Sequence, residues 1–272
     1  MTTTTIGGAL EQDTVRPART PPAPIPLSRI VAVELRKCFD TRSGFWLLAS
    51  IGITALLATG ATILFAPDSE LAYDSFAAAI GFPMAVILPM IAVLSVTGEW
   101  SQRSGLTTFT LVPHRSRTIL AKAIVAVSIG VVSMLLAFAV GALGNVAGSA
   151  LAGVDQVWDV GAVDVLDIVL FNILNMLIGF MLGVLIRNSA GAIVAYFVYS
   201  FVLSTLSMVL AASQSWFKDI QSWVDFNWAQ GALTDGGSMT GEQWAQLGVT
   251  GLFWLVIPLA IGLRMVLRSE VK

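Results

Sequence analysis

The chain has 272 residues, of which 56% are hydrophobic and only 12% charged, and its mean hydropathy is +0.81. A soluble domain carries about one charged residue in four, so this composition excludes a soluble enzyme or nucleic-acid binder; length here counts membrane spans. The net charge of −2 excludes little, because its sign is segregated along the chain, and one cysteine (Cys38) with one histidine (His114) exclude an intrachain disulfide and a metal site built on them.

Residues 1–28 are poor in large apolar groups and hold Pro21, Pro22, Pro24 and Pro26. Such a segment favours an extended tail that cannot bury enough surface to fold alone. No basic stretch precedes an apolar one, so a disordered cytosolic tail is expected rather than a signal peptide. Residues 29–44 read as an amphipathic elbow helix lying on the membrane, with Ser28 as N-cap. Leu27, Val31, Leu35, Cys38 and Phe39 form its apolar stripe, and Arg29, Arg36 and Asp40 lie opposite. Glu34 falls on the apolar side. It can pair with Lys37 at i, i+3 or meet a basic residue of the 97–122 interval.

Six apolar runs follow within residues 45–268: Phe45 to Phe65, Phe76 to Val96, Ala123 to Gly144, Val169 to Ile186, Ala190 to Ala211 and Gly248 to Leu267. Each approaches the ~20 residues that a helical span requires, which makes the fold class all-α integral membrane. Pro83 and Pro89 lie inside the second run, where they free backbone carbonyls that a neighbour must satisfy. Arg187, Asn188 and Ser189 form a tight turn that pairs the fourth and fifth spans. With both termini inside, fourteen of the fifteen Lys and Arg residues are cytoplasmic and only Lys218 is outside. Residues 269–272 are then a cytosolic C-terminus. The outer segments are acidic instead, with Asp74, Asp159, Asp164 and Asp235 among them. In the structured outer loop, residues 212–247, Trp216, Ile220, Trp223 and Val224 make a short amphipathic helix, and Thr240 with Gln243 makes a capping box for the last helix.

The first five spans contain no Asp, Glu, Lys, Arg or His, and the sixth only Arg264 near its inner end. Proton-coupled carriers need titratable groups at membrane depth, and hydrolases need acids, a metal or a nucleophile. Neither a stand-alone secondary carrier nor an intramembrane enzyme is expected. Small residues line several faces, notably Ala126, Gly130, Ser133, Ala137, Gly141 and Gly144, and Asn172, Asn175, Gly179 and Gly183. They serve packing within the chain or an interface with a second copy. Tyr196, Ser200, Ser204 and Ser207 form a polar face with Phe197 and Tyr199 beside it, which lines a substrate path or back-bonds to the preceding turn.

A long polar, charged interval between spans two and three, residues 97–122, carries Gly98, Glu99, Trp100, Arg103, Gly105, Thr107, Thr108, Phe109, Pro113, Arg115, Arg117 and Lys122. In this order the residues resemble the ABC-2 type permeases, the membrane subunits of bacterial type V ABC exporters. That family has a Gly-Glu pair leaving the second helix, a Gly-Thr-rich segment, a Pro followed by Arg, and a Lys opening the third helix. Here Leu106 separates Gly105 from Thr107. The order of elbow, six spans and structured outer loop resembles the family over nearly the whole chain.

The resemblance implies that this interval holds a cytosolic coupling helix for a separate ATP-binding subunit, with Glu99, Trp100, Arg103, Gly105, Thr107 and Phe109 as contacts. Glu34 and Lys37 would meet it from the elbow. It also implies that spans two and five line the path, with Phe82 and Met90 on one and Tyr196, Tyr199, Ser200 and Ser204 on the other. No GxxxxGK[ST] motif occurs, so ATP and Mg would sit on the partner and this chain would bear no cofactor or catalytic residue. The expected assembly is two permease copies with two ABC ATP-binding subunits in the bacterial plasma membrane. It would export a hydrophobic or amphipathic drug, lipid or peptide; the alternative is a non-transport anchor or regulator of an ABC-type ATPase. In intact cells, an impermeant maleimide is expected to label an Asp235→Cys variant in a Cys38→Ser background and to leave Arg268→Cys untouched. The reverse pattern refutes the orientation.

Overall fold

The computed structural model describes residues 25–101 and 115–268. In chain order the helices are α1 (Leu27–Asp40), α2 (Arg42–Phe65), α3 (Tyr73–Ser101), α4 (Arg115–Ala152) and α5 (Ala162–Ile186). They continue as α6 (Ser189–Ser213), α7 (Ser215–Val224), α8 (Phe226–Gly231) and α9 (Gly241–Arg268). Six of them (α2, α3, α4, α5, α6 and α9) are long and apolar enough to cross a membrane, the architecture of a multi-pass membrane protein. The described residues hold no strand, only an isolated bridge between Ala72 and Val157.

Several boundaries differ from those expected. The first helix starts at Leu27 and stops at Asp40, so it does not fill 29–44; Ser28 lies inside it, and Pro26, with φ −64°, leads in. Thr41 breaks the chain direction, and its Oγ1 accepts the Gly44 N–H at 3.1 Å, which starts α2 three residues before Phe45. The face of α1 turned to the protein is Leu27, Ile30, Val31, Glu34 and Cys38. Val33, Leu35 and Phe39 point away, so Leu35 and Phe39 do not belong to the packed stripe.

Residues 97–122 are also not a loop throughout. The last turns of α3 run to Ser101 and α4 starts at Arg115, because charged side chains that reach water do not end a helix. At 38 residues, α4 is about 57 Å long against a hydrocarbon core of about 30 Å. It therefore projects beyond its apolar run at both ends. The outer interval shrinks correspondingly, since α6 reaches Ser213 and α9 begins at Gly241. The Thr240 and Gln243 capping box forms, with Thr240 N–H donating to Gln243 Oε1 at 2.8 Å and Gln243 N–H to Thr240 Oγ1 at 3.2 Å.

The third helix is the hub, packing on α5, α4 and α2. Small residues set the spacing: a Cβ on Gly179 would stand 2.7 Å from Pro89 O, and one on Gly183 3.3 Å from Val93 O. On α4 a Cβ at Gly130 would meet Met176 Sδ at 2.9 Å, and Gly141 faces Ile80 and Phe76. Both stripes are thus consumed inside the chain. Exposed apolar surface lies on α2, α4, α6 and α9, as with Leu57, Phe65, Leu143, Val194, Leu206 and Phe253.

The turn from α5 to α6 is as tight as its sequence suggests. Arg187 closes α5 in the left-handed region, with φ 56°, a position that usually takes Gly or Asn. Asn188 Oδ1 then caps α6 by accepting Gly191 N–H at 2.8 Å. Gly179→Ala is expected to lower the unfolding temperature in detergent, with about 1–3 kcal/mol of overpacking. Gly52→Ala, which meets nothing within 4 Å, is the control and is expected to leave it unchanged.

Candidate functional site

Two arrangements stand out, one at each end of the helix bundle. At the end that carries α1, the Glu34 carboxylate accepts from two ammonium groups: Lys37 Nζ to Oε1 and Lys122 Nζ to Oε2, both at 2.6 Å. Lys122 also donates to Ser95 O at 3.0 Å. Both Glu34 and Lys122 side chains are 6% exposed, so one buried ion pair pins α1 to α4 and to a carbonyl of α3. Burial alone would push the Glu34 carboxyl up. The charge of Lys122 and the hydrogen bonds from Lys122 and Lys37 outweigh it and hold Glu34 below the ordinary glutamate value. Of the two partners open to Glu34 in the sequence, the structure uses both.

Beside this anchor, Thr97 Oγ1 donates to Val93 O at 2.9 Å and Ser189 Oγ lies 2.7 Å from the same hydroxyl, which joins α3 to the start of α6. Trp100, expected as a contact for the ATP-binding subunit, is partly buried on the last turn of α3 and packs against the core. Glu99 belongs to the same turn. Arg103, Gly105, Thr107 and Phe109 lie outside the described residues. The anchor therefore grips the helices on both sides of residues 102–114.

At the opposite end lies a cavity of about 610 Å³ between α3, α5, α6 and the segment after α8. Its α3 wall is built of Ala77, Ala78, Gly81 and Ala85 with Phe82, and small side chains at helical spacing leave the room. Phe171, Asn172 and Asn175 come from α5, and Tyr196, Ser200, Phe201 and Ser204 from α6. Asp74, Asp159, Asp164 and Asp235 lie at its mouth, and among the described residues no Lys, Arg or His lines it.

The α6 wall depends on backbone irregularities. Pro89 has no N–H to give the carbonyl of Ala85, and the Tyr196 hydroxyl supplies the missing donor at 2.7 Å. Val198–Leu203 then form a π-helical turn inside α6. Its wider winding slows the drift of an i, i+4 stripe around the helix, so Tyr196, Ser200 and Ser204 all face the cavity. Asn227 Nδ2 donates to Tyr199 O within this turn at 3.1 Å.

Of the six candidate path residues, Phe82, Tyr196, Ser200 and Ser204 line the cavity. Met90 packs in the neighbouring hydrophobic cluster, and Tyr199 is buried there with its ring 5.7 Å from that of Trp254. The sequence reading missed the contribution of the outer segment. Phe226, Ala229, Gln230 and Leu233 of α8 and its continuation are all buried, and Asn175 Nδ2 donates to Gln230 Oε1 at 3.3 Å. Their i, i+3, i+4 and i+7 spacing is the signal that identifies this inward face. The apolar face of α7 is the exposed one, with Trp216, Ile220 and Trp223 outside while Gln221 is buried and donates to Ser207 Oγ at 3.2 Å.

Among the described residues no group of three or more His, Cys, Asp or Glu is placed to hold a metal ion. No protein-family model and no curated protein matches the chain.

Replacing either member of the anchor removes the buried ion pair and leaves the other charge in its buried position. Glu34→Gln and Lys122→Met are each expected to cost about 3–5 kcal/mol, while the double variant recovers much of it. Denaturant unfolding of the four proteins checks this. Because the folded carboxyl lies below its unfolded value, the anchor is intact above the ordinary carboxylate range and lost as pH falls through the lowered one. Acid destabilisation is therefore expected to be shallower in Glu34→Gln/Lys122→Met than in the parent.

Proposed function

We propose that this chain is the permease subunit of an ATP-driven exporter of the ABC-2 type, which moves a hydrophobic or amphipathic substrate out of the cytoplasm. A separate ATP-binding subunit drives it, two of each chain making the assembly in a bacterial plasma membrane with both termini cytoplasmic. The orientation rests on the charge bias of the sequence. In that orientation α1 lies at the inner surface with Val33, Leu35 and Phe39 toward lipid, and the outward tryptophans of α7 sit at headgroup level.

The observation that carries the reading is the buried Glu34–Lys122 pair. It fastens α1 and Ser95 of α3 to the first turns of α4, on both sides of residues 102–114. A motor protein that pushes on that segment therefore moves three elements together rather than bending a slack loop. Movement of α3 would reach the far cavity through its own wall and through the Tyr196–Ala85 hydrogen bond to α6. The second support is the absence of Asp, Glu, Lys, Arg and His from the first five apolar runs, which leaves the energy to be supplied from outside the chain.

The test is co-expression with an ABC-type ATPase from the same genome, then ATP turnover and dye export in proteoliposomes. Glu99→Arg and Phe109→Ala are expected to leave the amounts of both proteins unchanged and to lower substrate-stimulated turnover by about tenfold, the loss of a single interface anchor. Retention of full turnover and export in both variants refutes the docking role of this segment. A stable complex whose ATP turnover ignores every substrate favours the anchor or regulator role instead.

A further inference from the structure

We infer that the acid-rimmed cavity binds an organic cation with an apolar body, the class of protonated amphipathic amines. The inference deepens the exporter reading by naming its substrate class, and rests on it only for transport, not for binding.

The charge around the cavity has one sign. Among the described residues the four carboxylate side chains that line it are aspartates, and Lys218 on α7 is not among its lining groups. Asp164 is partly occupied, its Oδ2 accepting Gly161 N–H at 2.8 Å and its Oδ1 Gly237 N–H at 3.1 Å. Asp159 Oδ1 accepts Asp74 N–H at 2.9 Å. Those neutral amides hold the carboxylates in place without cancelling their charge. A mouth of one sign with low-dielectric walls concentrates the opposite ion.

Acidity alone would not specify a ligand; the interior does. Asn172 is 1% exposed and lines the cavity. Its Nδ2 donates back to Ile168 O at 3.0 Å, while its Oδ1 has no hydrogen-bond partner among the described residues. A buried acceptor without a donor costs free energy, and a ligand N–H removes that cost. The remaining interior presents Phe82, Phe171, Phe201 and Tyr196, rings that receive an apolar body and attract a cation at their faces. A bare metal ion is disfavoured, since the rim carboxylates do not converge on one point. Carboxylates at the mouth, an acceptor within and aromatic walls together describe an ammonium group on an aromatic or alkyl frame.

The experiment uses the full chain in nanodiscs without any ATPase and three probes that share one fluorophore. Monodansylcadaverine carries an ammonium, its N-acetyl derivative is neutral, and dansyl-aminohexanoate carries a carboxylate. Protein-free nanodiscs give the partition background. Saturable binding is expected for the ammonium probe, with affinity about tenfold above the neutral one, and none for the carboxylate. Asp74→Asn/Asp235→Asn is expected to weaken the ammonium probe and leave the neutral one unchanged, and added salt should do the same. Phe82→Ala, at an exposed position, should weaken both probes. Equal binding of all three probes, or ammonium binding unmoved by both the aspartate variant and salt, overturns the inference. Selective binding without ATP-driven export from the reconstituted complex would retain the cation site and refute the exporter reading. Export of neutral but not cationic substrates would do the opposite.

Discussion

The structure depends first on a charge that it buries. Glu34 sits where the α1 pattern would take an apolar residue, and a lone carboxylate there would be expelled or protonated. Lys122 makes it tolerable, with Lys37 donating to the other carboxylate oxygen and Lys122 itself also donating to Ser95 O. Such a pair adds little net stability over a well-packed apolar pair. What it adds is register. An apolar contact between α1 and α4 could slide by a turn, whereas two buried charges meet in one arrangement only. The first helix is thereby held against α4, and α4 is tied through the same Lys122 to Ser95 of α3.

A second constraint runs through the hub helix. Proline at position 89 leaves the carbonyl of Ala85 without its donor, in a part of the chain where water is scarce. Tyr196 completes it from α6. The same stretch of α3 receives Gly179 of α5 so closely that no side chain fits between them. One end of α3 is thus tied to α4 and to the start of α6, its middle is held by α5 and α6, and its far end opens into the cavity. A displacement at one end has few ways to dissipate before it reaches the other.

Much of this was legible before any coordinates. Six spans, the tight Arg187–Ser189 turn and the Thr240 capping box follow from apolar run length and local hydrogen-bond chemistry, which neighbours in sequence determine. Helix ends were less legible. Apolar runs mark where lipid begins, but helices such as α4 end only where a glycine, a proline or a cap ends them, well outside the lipid. Leu35 and Phe39 illustrate a related ambiguity, because periodicity identifies an apolar face without saying whether protein or lipid will cover it.

The candidate site divides along the same line. The sequence alone determined that carboxylates gather on one side of the membrane and that Tyr196, Ser200 and Ser204 share a helix face, since both depend on spacing along one segment. Only the tertiary structure decided that four aspartates from three outer segments line one cavity, that the Asn172 Oδ1 meets no donor among the described residues, and that Gln230 reaches Asn175. It also decided between partners for Glu34 by granting both. Each of these is a meeting of residues far apart in the chain, set by how closely the small faces of α3, α4 and α5 let the helices approach. Spacing along a helix records which groups share a face; packing distance decides what that face meets.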